Sequence, residues 1–342
     1  MKKIINISLL LLCVLVTQGC SVIDDDLSTC ARDLELNIEV KMHTKLDLQL
    51  DQQLNSNADS PVRRIIYNQL ADIFTDHAHD INVTVFEENS SNIAHNIDDV
   101  IDSNQSTYPI SLRMANYDAL ALANLDDNAV VNYVSKDNHG QAMIEIPTAD
   151  VSSQRTGLFA ARKHLTITGE TSQTIQMTLT QINSAVSLII DAQNISRDNV
   201  EVFVQGTASG FMMADSVFLF DKQITTRADL PIDATPRFAA PDDNNTQPNV
   251  NANLCFTAVT LPSSDTEISQ GCYYKIIINT TNADATVTHT ELSVPEQLPA
   301  GRLKIIKTQM QSDGRVLPTE NTNIGVTVKL DWNDGGQHDV EL

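Results

Sequence analysis

The chain has 342 residues, and its 44 acidic side chains outnumber its 22 basic ones, which gives a formal net charge of −22 at pH 7. This excess of negative charge disfavours nucleic acid and anionic lipid headgroups as partners and favours a solvated acidic surface. The length accommodates two domains of ordinary size, and one large sandwich is also compatible with it.

The N-terminus has the features of a bacterial lipoprotein signal. Two lysines precede an apolar run over residues 4–16, which is too short to span a bilayer, and Gly19 stands immediately before Cys20. We expect residues 1–19 to be removed and Cys20 to carry a diacylglycerol and a further acyl chain such as palmitate, which together form a stable anchor. The alternative is an ordinary secretory signal cut elsewhere, because Thr17 replaces the usual aliphatic residue.

Alternation of apolar and polar residues dominates the rest of the chain and predicts strands. Residues 34–50 are apolar at nearly every even position, which predicts one long strand with a bend near its middle. Residues 62–74 differ, because their apolar residues recur at intervals of three and four after Ser60-Pro61, and this predicts a helix. Further strands are predicted at residues 81–86, 108–112, 130–134, 143–146, 165–167, 175–179, 186–190, 200–204, 217–220, 254–261, 273–278, 286–292, 303–306, 324–330 and 338–342.

Many short strands with one helix predict an all-β protein. The segment 181–184 interrupts the apolar alternation and shifts its phase from odd to even positions, so we place a domain junction there. The expected organisation is a β-sandwich over residues 34–182, which contains the one short helix, and a second over 183–342. Residues 225–253 contain four prolines and little apolar character, which predicts a long loop in the second domain.

Export makes disulfides possible for the cysteines of the mature chain. Cys255 and Cys272 lie symmetrically about the turn-like segment 262–265, so a hairpin of matched register would place them opposite each other. A disulfide between them and two free buried thiols both stay open, and Cys30 could pair with either.

Metal-binding signals are weak in this sequence. His77-Ala78-His79 is flanked by aspartates and could present two imidazoles to one ion on a strand, but it follows the predicted helix directly and no third ligand is evident. Residues 331–336 begin like a calcium loop, but Gly335 and Leu342 occupy positions that need oxygen ligands. We therefore predict a solvated connection, a tight turn, and neither a metal nor a cofactor.

Catalytic patterns are also missing from the sequence. The adjacent pairs Asp98-Asp99 and Asp126-Asp127 would point to opposite faces of a strand, and there is no nucleophile elbow or phosphate-binding glycine loop. We predict that the protein is not an enzyme. Surface glycan capture is a rival function, although its usual aromatic platforms have little support here, since Trp332 is the single tryptophan.

The order of these features resembles the FimB-type minor fimbrial anchor subunits, which are lipoproteins of type V pili in Bacteroidia. The resemblance is carried by the following segments: Cys20, Asp24-Asp25-Asp26-Leu27-Ser28-Thr29-Cys30, Phe86-Glu87-Glu88, Tyr108 to Leu112, Tyr117 to Leu125, Leu158-Phe159, Leu165 to Gly169 and Ile175 to Ile190.

This resemblance implies two tandem transthyretin-like β-sandwich domains and a role at the base of a fimbrium. Residues 20–33 would form a lipidated acidic tether to the outer membrane, and Asp24, Asp25 and Asp26 would form a signal for export to the cell surface. The partner would be a fimbrial stalk subunit, engaged by β-strand exchange. Two alternatives stay open: a surface glycan-binding lipoprotein of a nutrient-uptake system, and a stalk or tip subunit whose N-terminal segment is cleaved, for which Arg63-Arg64 offers a site.

Overall fold

A computed structural model describes residues 31–42, 44–55, 59–100, 106–126, 128–168, 173–193, 199–230, 251–319, 323–331 and 337–339. Two helices in these ranges are α1, Leu46–Gln53, and α2, Ser60–Leu70. Strands of the first half are β1 Arg32–Lys41, β2 Asp80–Glu87, β3 Ile93–Val100, β4 Thr107–Leu112, β5 Asn116–Ala123, β6 Asn132–Val134, β7 Met143–Glu145, β8 Asp150–Ser152, β9 Phe159–Thr166 and β10 Thr174–Gln181. Those of the second half are β11 Ser184–Gln193, β12 Val200–Gln205, β13 Gly210–Met212, β14 Val217–Leu219, β15 Thr225–Arg227, β16 Asn251–Thr260, β17 Tyr274–Thr281, β18 Val287–Val294, β19 Leu303–Met310, β20 Val316–Pro318, β21 Gly325–Asp331 and β22 Gln337–Asp339. The all-β prediction is confirmed.

The described strands form four sheets. The first has the order β3-β2-β5-β9-β10-β1-β4, the second β16-β11-β19-β20, the third β22-β21-β18-β17-β12-β15-β8, and the fourth β14-β13-β7-β6. The third and fourth sheets combine strands from both sides of the expected junction, because β8 pairs in parallel with β15 and β7 pairs antiparallel with β13. The two halves of the chain are therefore joined by backbone pairing.

Apolar residues fill four clusters between these layers. One lies on a face of the first sheet, and a second lies between the second and third sheets. A third holds the helices against the other face of the second sheet, where Leu50, Ile66 and Leu70 are fully buried. The fourth includes Phe86 and Leu122 from the first half and Phe211 from the second. Each such buried side chain contributes about 2 kcal/mol by its removal from water.

The prediction of one strand over residues 34–50 is wrong in its second half, because β1 ends before α1 begins at Leu46. Leu46, Leu50 and Leu54 fit an alternating pattern, but their spacing of four also places them on one helix face, where all three are buried. Leu48, which a strand would bury with them, is 54% exposed. The described residues thus contain two helices where the sequence predicts one.

The other predicted helix is confirmed as α2. It begins at Ser60, and Pro61 stands in its first turn, where the missing backbone N–H breaks no hydrogen bond. The predicted loop over residues 225–253 is wrong at both ends, since β15 occupies one end and β16 begins at the other. Residues 231–250 lie outside the described part of the chain.

Candidate functional site

The predicted lipid attachment site and its neighbours lie outside the described residues. This holds for Cys20, for Asp24, Asp25 and Asp26, and for Cys30. β1 is the first described element, and it begins at Arg32, inside the expected tether over residues 20–33, whose predicted end is therefore wrong by two residues. Neither α1 nor α2 has the length and apolar character that a membrane span requires.

The two cysteines proposed as a disulfide are separate in the structure, and both thiols are free and buried. The expected hairpin is wrong, because β16 pairs with β11 and not with β17. Cys255 therefore lies in the second sheet, whereas Cys272 lies just before β17 of the third sheet. Cys255 lies in the apolar cluster under the helices, and burial raises the pKa of its thiol to about 12. The Cys272 thiol donates a hydrogen bond to the Tyr274 carbonyl at 3.3 Å.

The histidine pair lies in the connection between α2 and β2. The rings of His77 and His79 meet edge to face with centroids 5.0 Å apart. Asn124 fixes this connection, because its Oδ1 accepts a hydrogen bond from the His79 backbone N–H at 2.6 Å and its Nδ2 donates to the His77 carbonyl at 3.3 Å. Within the described ranges, no three histidine, cysteine, aspartate or glutamate side chains converge on a point where they could hold a metal ion.

The paired aspartates have separate environments. Asp98 and Asp99 lie on β3 at one edge of the first sheet. Asp126 follows β5, and its backbone N–H donates to the Asp80 carboxylate at 3.3 Å. Asp127 and the residues 332–336 of the calcium-like segment lie outside the described residues.

A strand edge in the second sheet is covered by two glutamine side chains. β19 pairs with β11 on one side, whereas on the other side β20 reaches only Thr308–Met310. The backbone of Leu303 and Ile305 meets α1 instead: Gln49 Oε1 accepts the Leu303 N–H at 2.7 Å, and Gln53 Oε1 accepts the Ile305 N–H at 2.8 Å. Gln53 Nε2 also donates to the Leu303 carbonyl at 2.7 Å. Two helix side chains thus occupy the place of a neighbouring strand.

A groove of about 560 Å³ with both polar and apolar lining residues opens beside α2, between β16 and the segment after β8. Gln69, Gln154, Arg155 and Asp229 are among its lining residues. Gln154 is buried, and its Nε2 has no hydrogen-bond partner within the described part of the chain. Burial raises the pKa of the Asp229 carboxyl, and the nearby guanidinium groups of Arg155 and Arg227 oppose that shift.

Sequence reasoning missed both the covered edge and the groove. Gln49 and Gln53 stand four residues apart on α1, as do the buried leucines Leu46 and Leu50. That shared spacing is the signal that could have found the glutamines. Their partners, however, lie about 250 positions later in the chain, and no local pattern indicates contacts at that distance.

A family model described as fimbrillin-A associated anchor proteins Mfa1 and Mfa2 matches residues 40–334 of the chain. None of the curated proteins compared with the chain matches it.

Solved structures of several Bacteroidia proteins are similar to this chain at low sequence identity. A candidate adhesin from Bacteroides thetaiotaomicron is 11% identical with a TM-score of 0.52, over 88% of this chain and 97% of that chain. A candidate polysaccharide-binding protein from the same species is 9% identical with a TM-score of 0.50, over 91% and 98%. The fimbrial anchor protein Mfa2 from Porphyromonas gingivalis is 10% identical with a TM-score of 0.48, over 91% and 100%.

Proposed function

The chain belongs to the family of fimbrillin-A associated anchor proteins, and from this membership we propose that it attaches a type V fimbrium to the outer membrane as a non-enzymatic, lipid-anchored subunit. The observation that carries the proposal is the extent of the family match, which covers both halves of the β-rich chain. Membership makes the chain a fimbrial subunit of the cell envelope. The lipid, the outer membrane and the stalk partner are the proposed part.

The proposed anchor has two attachment points. Acyl chains on Cys20 hold one end, and a sheet edge holds the first stalk subunit by strand exchange. Residues 20–31, which lie between the lipid and the start of β1 at Arg32, could span about 40 Å when extended. That reach would keep an acidic protein clear of anionic headgroups, and it supports a tether in this position.

Surface exposure is the second part of the proposal. Asp24, Asp25 and Asp26 follow Cys20 at a distance of four to six residues and would direct the lipoprotein to the outer face of the membrane. Protease added to intact cells should then degrade the folded sheets, and replacing the three aspartates by asparagine should protect them. If the unmodified chain and the variant with three asparagines were equally protected from protease, the result would contradict surface export.

Mass spectrometry of the mature N-terminus in purified fimbriae tests the anchor role against the stalk and tip alternatives. An anchor retains an acylated Cys20 in the assembled fimbria. A stalk or tip subunit matured by cleavage would begin further along, for example after Arg63-Arg64. A processed N-terminus within or beyond α2 would therefore overturn the anchor assignment.

Capture of a surface glycan is a second candidate function, and the groove beside α2 favours it. Gln154 offers an unpaired amide donor, and Arg155 and Asp229 offer charged partners for hydroxyl groups at its mouth. Binding of the mature chain to a glycan array, lost in Asp229→Asn and Arg155→Ala, would support this function. Array binding that survives both changes would place glycan capture elsewhere on the chain.

A further inference from the structure

We propose that α1 is a removable cover on the open edge of β19, and that an extended strand of the fimbrial stalk subunit with apolar residues at alternate positions replaces it. This inference rests on the proposed function and names the surface at which the stalk would bind. It is carried by the hydrogen-bond pattern at the edge, by the apolar residues beneath α1 and by the charge beside it.

The hydrogen bonds between α1 and β19 match those of a paired strand. The Ala185 N–H of β11 donates to the Arg302 carbonyl at 2.9 Å, which sets the side of β19 that faces β11. Leu303 and Ile305 therefore direct their backbone groups to the opposite side. A glutamine side chain carries an amide NH2 donor group and a carbonyl acceptor, so Gln49 and Gln53 can supply the donor and acceptor that two peptide units of a strand would supply.

The set of bonds extends over one turn of α1. Gln49 Nε2 donates to the Gly301 carbonyl at 3.2 Å, in addition to the acceptor bond from Leu303, and Gln53 bridges Leu303 and Ile305. Sheet edges that lack a neighbour are commonly covered in this way, because an open edge recruits other strands. An incoming strand could satisfy the same backbone groups without any change in β19.

The surface beneath α1 is apolar. Leu46, Leu50 and Leu54 pack into the cluster that also contains Leu303 and Ile305 of β19. Departure of α1 would uncover this cluster, so a replacement strand must carry apolar residues at alternate positions. Such a strand would bury the cluster again and so offset much of the cost of displacing the helix.

One charge beside the edge favours an occupant with a carboxylate. Arg63 of α2 forms ion pairs with Asp47 and Asp51 of α1 at 3.0 and 2.8 Å. Departure of α1 would remove both of these partners from the guanidinium, whereas Lys307 of β19 would keep its ion pair with Asp59 at 2.9 Å. Exposed pairs of this kind contribute little to stability, but they select partners by sign of charge.

α1 also has properties that allow it to detach from the edge of β19. It has eight residues, fewer than a helix needs for stability by itself in water. Its N-cap residue, Lys45, makes no side-chain capping hydrogen bond. A serine at this position would cap the helix and hold the cover more firmly, so the equilibrium between covered and open edge can be shifted in either direction by substitution.

Fimbriae are sheared from a strain that lacks this chain and are immobilised on a sensor surface. The test measures how tightly these fimbriae capture the full mature chain from solution. Gln49→Ala/Gln53→Ala loosens the cover without touching the surface that the stalk strand would use, and we expect roughly tenfold tighter capture. Lys45→Ser should weaken capture about fivefold. The control is Gln52→Ala on the exposed face of the same helix, which should bind like the unmodified chain.

Hydrogen exchange provides a second readout in the same proteins. The amide protons of Leu303 and Ile305 should exchange at least tenfold faster in Gln49→Ala/Gln53→Ala than in Gln52→Ala, with the third sheet unaffected. If α1 is a cover, capture becomes tighter in Gln49→Ala/Gln53→Ala and weaker in Lys45→Ser. If α1 is merely structural, capture instead rises and falls with the stability of each variant.

The failures of the two proposals are distinguishable. Suppose that the immobilised fimbriae capture the unmodified chain, but that the substitutions leave capture unchanged or all shift it in the same direction. The cover proposal is then overturned and the proposed anchor function stands. If the immobilised fimbriae do not capture the unmodified chain, the proposed anchor function fails and the cover proposal fails with it. Should the double variant not fold, Lys45→Ser and its control still decide the question.

Discussion

Asn183 donates a hydrogen bond from Nδ2 to Gln154 Oε1 at 2.9 Å, and both residues are buried where the two halves of the chain meet. The same Nδ2 also donates to the Thr156 carbonyl at 2.8 Å, and Oδ1 accepts the Leu158 N–H at 3.2 Å. The backbone carbonyl of Asn183 accepts the Gly301 N–H at 2.8 Å. One residue thus links a segment of the first half to the beginning of β19.

Replacing Asn183 by alanine should destabilise the protein by about 3 kcal/mol, because several buried groups lose their partners at once. Urea unfolding followed by circular dichroism measures the loss. Asn132→Ala, at an exposed position in β6, is the matched control and should change stability by less than about 0.5 kcal/mol. Equal effects of the two substitutions would show that the buried network contributes nothing.

The two halves should unfold in one cooperative transition. They share the fourth sheet and one apolar cluster, and the helices of the first half pack on the second sheet, so neither half can lose its structure alone. We expect coincident urea transitions in far-ultraviolet and near-ultraviolet circular dichroism. The fragment 34–182 produced alone should bind a hydrophobic dye and lack a cooperative transition. Two separate transitions would instead support independent tandem domains.

Cys255 and Cys272 should both be recovered as free thiols from the exported protein. Burial raises the pKa of the Cys255 thiol to about 12, so its reactive thiolate is scarce at neutral pH. In native buffer we expect little alkylation of either cysteine over an hour, and complete alkylation in denaturant without reductant. Peptide mass spectrometry distinguishes this result from a Cys255–Cys272 disulfide, which would need reductant before alkylation.

His164 should titrate above the ordinary histidine pKa of about 6.5, because its hydrogen bond with Asp118 at 2.9 Å and the nearby Glu88 favour the protonated ring. A raised folded-state pKa stabilises the protein below the unfolded value, and this contribution disappears as pH rises through the folded value. Burial lowers the pKa of His95, which gives an internal comparison. NMR titration should place the His164 midpoint above that of His95, and Asp118→Asn should lower it. The opposite order would contradict this account of the Asp118 contact.

Sequence patterns predicted strands reliably where one face is buried and the segment is long. β10 and β17 are examples, since their apolar residues alternate along most of their length. β8 and β13 were not predicted, because each is short and has little strand pattern of its own: β8 contains one apolar residue, Val151, and β13 begins at Gly210. Their long-range partners, and not their own residues, make them strands.

The contacts between distant segments account for the remaining misses. The sequence indicated an interruption at residues 181–184, but it could not indicate that Asn183 bonds to Gln154 in a different segment. Likewise, the leucines of α1 fit both a strand and a helix, and the choice depends on the edge of β19 that Gln49 and Gln53 cover. The lipoprotein signal is a local pattern and so could be predicted from the sequence, and lipidation of Cys20 stays a prediction.

The measurement that tests the anchor function most directly is the distribution of fimbriae between cells and medium in a Cys20→Ala strain. We expect most fimbriae to be shed, with the variant chain folded and released with them. Cys13→Ala, in the segment removed with the signal, is the matched control and should retain fimbriae on the cells. Full retention of fimbriae by Cys20→Ala, with the variant chain still in the membrane fraction, would contradict the lipid-anchor account.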